Sequence, residues 1–320
     1  MKSMARMAGA LLVAVSTAAA AQAWPQKPVR FIVSLGAGSG ADIGARLYAE
    51  RLTTIWGQPV VVENRPGADG VLAINAVVGA RDDHVLLWGP TSNFVAHPYT
   101  LEKLPYDPNE LVPVARVSNT VVTVAVAPAL GVNSLKDLVA RIKAQPGNWN
   151  FATATTNTDV IFAAFFKSVG LDVQKVSYKD TVSALNDLLE NRIQIYGAAY
   201  AIVRSQAQAG RVKLLAITNR SRAPGLDVAT VSELGFPQLD FDGLVGIIAA
   251  RSSGLSEAAR DRIAADVRTV SSDAQIAERL QATAQINNPG TGTELAVSMK
   301  EQAAQLDAAA KQAGIERRLR

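Results

Sequence analysis

Apolar runs of strand length alternate with stretches of helical periodicity along most of the chain. Residues 29–35 (VRFIVSL) read as a buried strand, and residues 41–56 follow with Ile43, Leu47, Leu52 and Ile55 near helical spacing. A strand at 58–63 (QPVVVE), a short helix at 71–78 after the turn-rich NRPGADG, and a strand at 85–89 continue the alternation. This β-α-β-α-β order predicts a parallel sheet covered on both faces. Strands at 111–117 and 120–127 then come with no helix between them, and a helix at 134–144 starts on Ser134 and stops at Gln145-Pro146-Gly147. A second alternation places strands at 149–152, 173–178, 193–198 and 212–218, with helices at 159–169, 181–191 and 201–209. Residues 244–250 (LVGIIAA) read as one more strand, and the C-terminal part as helices at 256–270, 273–282 and 294–313.

Two α/β units result. The strands at 120–127 and 244–250 are placed to cross between them, which makes the first unit discontinuous: residues 24–120 with 246–320, against 121–245 for the second. The fold class expected is α/β, a two-domain clamshell with two crossover strands and a ligand cleft between the domains. Open α/β sheets bind ligands at the carboxyl ends of their strands, so two such sheets across a hinge face a shared site.

Residues 1–23 stand apart. Lys2 and Arg6 precede an apolar run from Met7 to Ala20, and Ala21-Gln22-Ala23 supplies small residues at a cleavage point. That is the pattern of a secretory signal peptide, too short in its apolar part to span a bilayer. Export out of the cytoplasm is expected.

Composition narrows the chemistry. The 320 residues include no cysteine and only two histidines, His84 and His97. Disulfide scaffolds, Cys-ligated zinc, thiol nucleophiles and a His-rich metal site are all excluded. The formal charge of +4 falls to +2 without Lys2 and Arg6, which leaves no nucleic-acid footprint.

The most informative segment is GAGSGADIGAR, residues 36–46, running from the first strand into a helix. Glycines allow a sharp turn and close backbone approach, and a helix start offers unpaired N–H groups to an anion. Ser39 or Asp42 can cap this helix, leaving the amides of Ser39, Gly40 and Ala41 for a carboxylate. The same letters fit a dinucleotide fingerprint through Gly36, Gly38 and Ala41, with Glu63 placed as a ribose-binding acid. A nicotinamide oxidoreductase is therefore the rival reading, weakened by export and by the lack of a histidine at a hydride-transfer position.

The segments WPQKPVRFIVSLGAGSGADIGARLYAERL, WGQPVVVENRPGADG, LPYDP, NWNFATATTNT, VSYKDTVSALNDLL, GRVKLLAITNRSRAPGL and VATVSELGFP together resemble the Bug-type receptors of tripartite tricarboxylate transporters. The resemblance covers essentially the whole chain after residue 23. It implies a periplasmic-binding-protein-like, non-enzymatic receptor without cofactor or metal, which delivers a small organic acid to membrane permease subunits. A monomer is expected, and a sensor role toward a membrane signalling partner uses the same clamshell. Carried over by motif, the site residues are Gly38, Ser39, Gly40, Ala41 and Asp42, then Ser92 and Asn93 after the third strand. The second domain adds Thr153, Thr155, Asn157 and Thr158, then Asp180 and Tyr200 at two further strand-to-helix turns.

The chain departs from the family at ATATTNT, at Asp180 in place of glycine, at GAAYA and at Leu244. Asp42 and Asp180 together disfavour a multiply charged anion by like-charge repulsion, which favours a mono- or dicarboxylate over citrate. An aromatic or amide-bearing acid beside Tyr200 is the other option. Other conspicuous residues receive plain readings: Asp82-Asp83-His84 as a surface turn, His97-Pro98 as a loop at the hinge, and Arg317, Arg318 and Arg320 as a solvated tail.

Overall fold

Two sheets of unequal size carry the chain, joined by short crossovers. The computed structural model describes residues 24–178 and 180–319, with the backbone alone for Asn93. The signal-peptide expectation for residues 1–23, Lys179, the Asn93 side chain and Arg320 lie outside the described residues.

The first sheet has the order β11-β4-β10-β3-β1-β2. Its strands are β1 (Val29–Val33), β2 (Val60–Asn64), β3 (Val85–Pro90), β4 (Leu111–Thr120), β10 (Gly243–Ala250) and β11 (Gln285–Thr291). The second, β7-β6-β8-β5-β9, contains β5 (Val122–Val126), β6 (Asn150–Thr153), β7 (Gln174–Lys175), β8 (Ile195–Ala199) and β9 (Lys213–Ile217). The helices are α1 (Gly40–Trp56), α2 (Val71–Ala80), α3 (Ser92–Thr100), α4 (Leu135–Ala144), α5 (Thr156–Ser168), α6 (Thr181–Leu189), α7 (Tyr200–Gln208), α8 (Glu257–Ser271), α9 (Ala274–Ala282) and α10 (Gly292–Ala313).

Both sheets are mixed. β1 runs parallel to β2 and β3, as the alternation predicts, but β10 and β4 pair antiparallel. β4 does not turn back on its own sheet: Val121 alone separates it from β5, which lies in the second sheet and runs antiparallel to β8 and β9. The strand at 244–250 does not cross. All of β10 is buried in the first sheet, and the chain crosses just before it, where Phe241 N–H donates to Thr218 C=O. The strand at 173–178 shrinks to two residues, an exposed edge.

Two elements escaped the hydrophobic pattern. β11 reads QINNPGT, polar and interrupted by proline, yet it pairs with β4 along the sheet edge. α3 carries Pro98 inside it. The loop expected around His97 is therefore helical, and His97 is fully buried: its Nε2–H donates to Asp69 C=O at 3.0 Å while its Nδ1 accepts from the Tyr106 hydroxyl at 2.6 Å. The C-terminal tail is also tied down. Arg317 forms a two-pronged pair with Asp307 and lies over the Tyr99 ring, and Arg318 N–H reaches Pro98 C=O at 2.9 Å.

One apolar cluster lies against α1 and α8, led by Phe31, Tyr48 and Trp88, and a smaller one lies under α2. The second sheet has its own, built on Phe151, Phe162 and Phe165. α10 spans them: Leu295 packs with α2 and β10, whereas Leu306 and Ala310 belong to the second sheet's cluster together with Val95 and Tyr99 of α3. Among the described residues no helix is long and apolar enough to cross a membrane.

Candidate functional site

Register decides which strand ends meet. β4 ends at Thr120 where it leaves the first sheet, and β10 begins opposite it at Gly243. Pro90 of β3 pairs with Val245, and β1 runs parallel to β3, so the carboxyl ends of β1 and β3 lie on the crossover edge. In the second sheet β5 begins at that same edge. Val122 pairs with Ala199, and Thr153 with Gly197, so β6 and β8 also end there. The N-termini of α1, α3, α5 and α7 therefore open onto the gap between the sheets, the place where open α/β sheets take their ligands.

At the α1 corner, Gly38 has φ +81°, a conformation glycine adopts without strain, and the chain turns there into the helix. Ser39 is the N-cap, its Oγ accepting from Asp42 N–H at 3.3 Å. Its own N–H is used, donating to Gly36 C=O. Asp42 faces inward: one carboxylate oxygen accepts from Gly38 N–H at 2.8 Å, the other from Asn64 Nδ2 at 2.9 Å and from Arg46. Burial raises its pKa, but the hydrogen bonds from Arg46, Gly38 and Asn64 outweigh this and hold the carboxyl below the usual carboxylate range. Asp42 thus shapes the loop. The amides of Gly40 and Ala41 have no acceptor among the described residues.

The α5 corner is built from hydroxyls. Thr155 and Thr158 form a reciprocal capping box. The Thr153 hydroxyl is committed to Asp159, whose other oxygen takes Lys175. What remains open is Asn157, 1% exposed, whose Oδ1 and Nδ2 have no partner among the described residues. An orphaned buried carboxamide costs about 1–3 kcal/mol and calls for a ligand or water.

The other carried-over residues divide. Ser92, at the first position of α3, is buried behind Thr91, whose hydroxyl donates to Gln302. Tyr200 begins α7, its N–H donating to Val121 C=O. Asp180 is an exposed N-cap of α6, accepting from Ser183 N–H and Oγ; those bonds lower its pKa. The repulsion expected between Asp42 and Asp180 therefore loses its basis, since one is neutralised by Arg46 and the other caps a helix in solvent.

Two residues join the site without having been singled out. Asn64, in the ENRPG segment, ties β2 to the α1 loop through Leu35 C=O and Asp42. Gln285, first residue of β11, accepts from Ser118 Oγ at 2.6 Å, and its Nε2 lies 2.6 Å from where a side chain on Gly40 would begin. Gln285 and Tyr200 both line a cavity of about 380 Å³ that runs beside the α1 corner toward Arg204 and Gln281.

The dinucleotide reading does not survive the geometry. Glu63 holds Arg30 through two hydrogen bonds of 2.6 and 2.8 Å, so the supposed ribose acid is already engaged. The strand order β2-β1-β3 also differs from the arrangement in which that fingerprint binds dinucleotides.

Comparison with known proteins agrees with the clamshell. Residues 44–304 match the model of the tripartite tricarboxylate transporter family receptor. A UPF0065 protein of Bordetella bronchiseptica is 30% identical over 299 residues, covering 92% of this chain and 88% of that one. The structure of the periplasmic binding protein BugD superposes with a TM-score of 0.75 at 25% identity, over 92% of this chain and 99% of that one. The structure of an R. palustris protein with adipate gives a TM-score of 0.78 at 23% identity, over 92% and 99%. The chain belongs to the tripartite tricarboxylate transporter receptor family, as a Bug-type solute-binding protein and not an enzyme.

Proposed function

We propose that the protein is an exported, hinged receptor that closes on one small organic carboxylate between the α1 and α5 corners and delivers it to a membrane permease. The observation that carries this reading is the set of helix N-terminal amides left without acceptors at two corners on one gap, Gly40 and Ala41 on one side, Thr156 and Asn157 on the other. A helix N-terminus carries roughly half a positive charge, so each corner suits one carboxylate. Arg46 and Lys175, the cations attached to these corners, are both paired with acids. Among the described residues neither of these two corners carries an unpaired cation, which favours a mono- or dicarboxylate over a tricarboxylate, and the adipate held by one structural relative is of that class. Ser39, Ser92, Thr153, Thr155, Thr158 and Tyr200 form the walls of this site, with Asp42 bracing the α1 loop.

Cleavage after Ala23 would release a periplasmic monomer, its two domains hinged at the crossover after Thr120 and at the return just ahead of β10, a few residues before the expected boundary at 246. The test is a thermal-shift and calorimetric screen of mono-, di- and tricarboxylates with NADH as control. One short acid is expected to stabilise the fold, by about 2.7 kcal/mol at 100 times its dissociation constant, with no turnover. Stabilisation by NADH alone, or by citrate in preference to every dicarboxylate, would contradict the reading.

A further inference from the structure

A second cavity, of about 370 Å³, lies at the hinge; it shares no lining residue with the cavity beside the α1 corner and touches the α3 corner only through Leu244 and Gln302, which hold Thr91. Its walls come from β4, β11 and α10 and from the two chain segments that pass between the sheets, around Arg220 and Asp242. Arg116 stands in it half-buried. Its Nε donates to Asn288 C=O at 3.1 Å and one terminal nitrogen to Ser298 Oγ at 3.2 Å, yet no carboxylate pairs with it within 4 Å among the described residues. Glu294 is its nearest acid: the carboxylate accepts from Thr291 N–H, which does most to lower its pKa, and pairs with Arg268 at 3.7 Å. The Arg116 charge lowers that pKa more than Arg268 does, without a direct pair forming. The other acids of the wall are occupied: Glu301 faces Arg220, and Asp242 accepts from Asn219 and from Arg220 N–H.

Two carboxamides complete the pattern. Asn119 accepts from Asn288 through Oδ1, and its Nδ2 has no acceptor among the described residues. Asn287 donates to Ser271 C=O at 2.6 Å, and its Oδ1, just beneath the cavity wall and closed to solvent in this form, has no donor among the described residues, so a ligand reaches it once the Asn287 side chain turns outward. The wall thus offers a cation without a direct ion pair, a neutral donor and an orphaned acceptor.

We propose that this hinge cavity is a second binding site, for a short carboxylate bearing a hydroxyl or ammonium group next to its carboxyl. The carboxylate would take the free face of the Arg116 guanidinium and Asn119 Nδ2, a charge-assisted arrangement. The neighbouring hydroxyl or ammonium would donate to Asn287 Oδ1. A plain carboxylate leaves that acceptor empty, so the site discriminates by one donor. Because strands and crossover segments both line the cavity, occupancy stiffens the hinge and couples to solute capture.

The test uses the full mature chain and the matched probes lactate, alanine and propionate, read by side-chain amide shifts in a 15N-resolved spectrum. Saturable shifts of the Asn119, Asn287 and Asn288 side-chain amides are expected with lactate or alanine, with propionate weaker by roughly tenfold. Arg116→Gln should abolish these shifts while Gly40→Val, which addresses the α1 corner, leaves them in place. The wild-type spectrum needs no variant to fold. No saturable shift at these asparagines, equal binding of propionate, or loss with Gly40→Val and not with Arg116→Gln would overturn the proposal. The last outcome would return the probes to the carboxylate site between α1 and α5.

Discussion

The α1 and α5 corners present the same backbone device, a helix start with two free amides, on different supports. The α1 corner is locked by charge: Asp42 gathers Gly38, Asn64 and Arg46, and Gln285 closes over Gly40. The α5 corner is capped by neutral hydroxyls, with the Asp159–Lys175 pair set behind Thr153, and keeps Asn157 buried without a partner among the described residues. The first is thus preorganised at no cost to the empty protein, whereas the second stores an unsatisfied group that a ligand can relieve. One corner is a fixed anvil, the other a strained jaw.

Substitutions can break that contrast. Gly40→Val puts a branched side chain against Gln285 Nε2 and over the two free amides. Solute affinity should fall about 100-fold by calorimetry, worth about 2.7 kcal/mol, with the unfolding midpoint little changed because only the end of Gln285 must move. Asp42→Asn should lower stability by about 1–2 kcal/mol in urea titrations, since it discards charged hydrogen bonds in a buried loop.

The same residue sets a pH signature. Its folded pKa lies below the unfolded value of about 3.9, so its contribution is complete above that value and is lost as pH falls through the folded pKa. Stability of the wild type below about pH 4 should therefore drop more steeply than that of Asp42→Asn.

The α5 corner should respond with opposite signs. Asn157→Leu removes the orphaned carboxamide, so the unliganded protein should hold or gain stability while solute affinity falls roughly tenfold, about 1.4 kcal/mol. Loss of both together would make Asn157 an ordinary core residue. Thr155→Ala is the smallest case, costing about 1 kcal/mol of helix capping in thermal unfolding.

The difference between the corners also explains what the sequence could reveal. Glycine spacing, a serine cap and the helix behind it are local signals, so residues 36–46 were legible as a glycine turn into a capped helix start, and the alternation of strand and helix carried both sheets. The antiparallel strands were not legible, because β10 and β11 pair with β3 and β4 across long stretches of chain, and β5 with β8 and β9. β11 has a polar, proline-broken sequence, which hid Gln285, and α3 was masked by Pro98. Asp42 and Asp180 looked alike as letters and differ wholly in setting, one buried against Arg46 and one capping in solvent. Partners distant in sequence separate them, and periodicity is blind to those.

Capture of a carboxylate between the two corners is most directly tested by a crystal structure of the mature chain with the acid that stabilises it best. One carboxylate oxygen is expected within about 3 Å of the Gly40 and Ala41 nitrogens, and the Asn157 carboxamide hydrogen-bonded in the same complex. A solute seated elsewhere, with those amides still facing water and Asn157 still unpartnered, would contradict it.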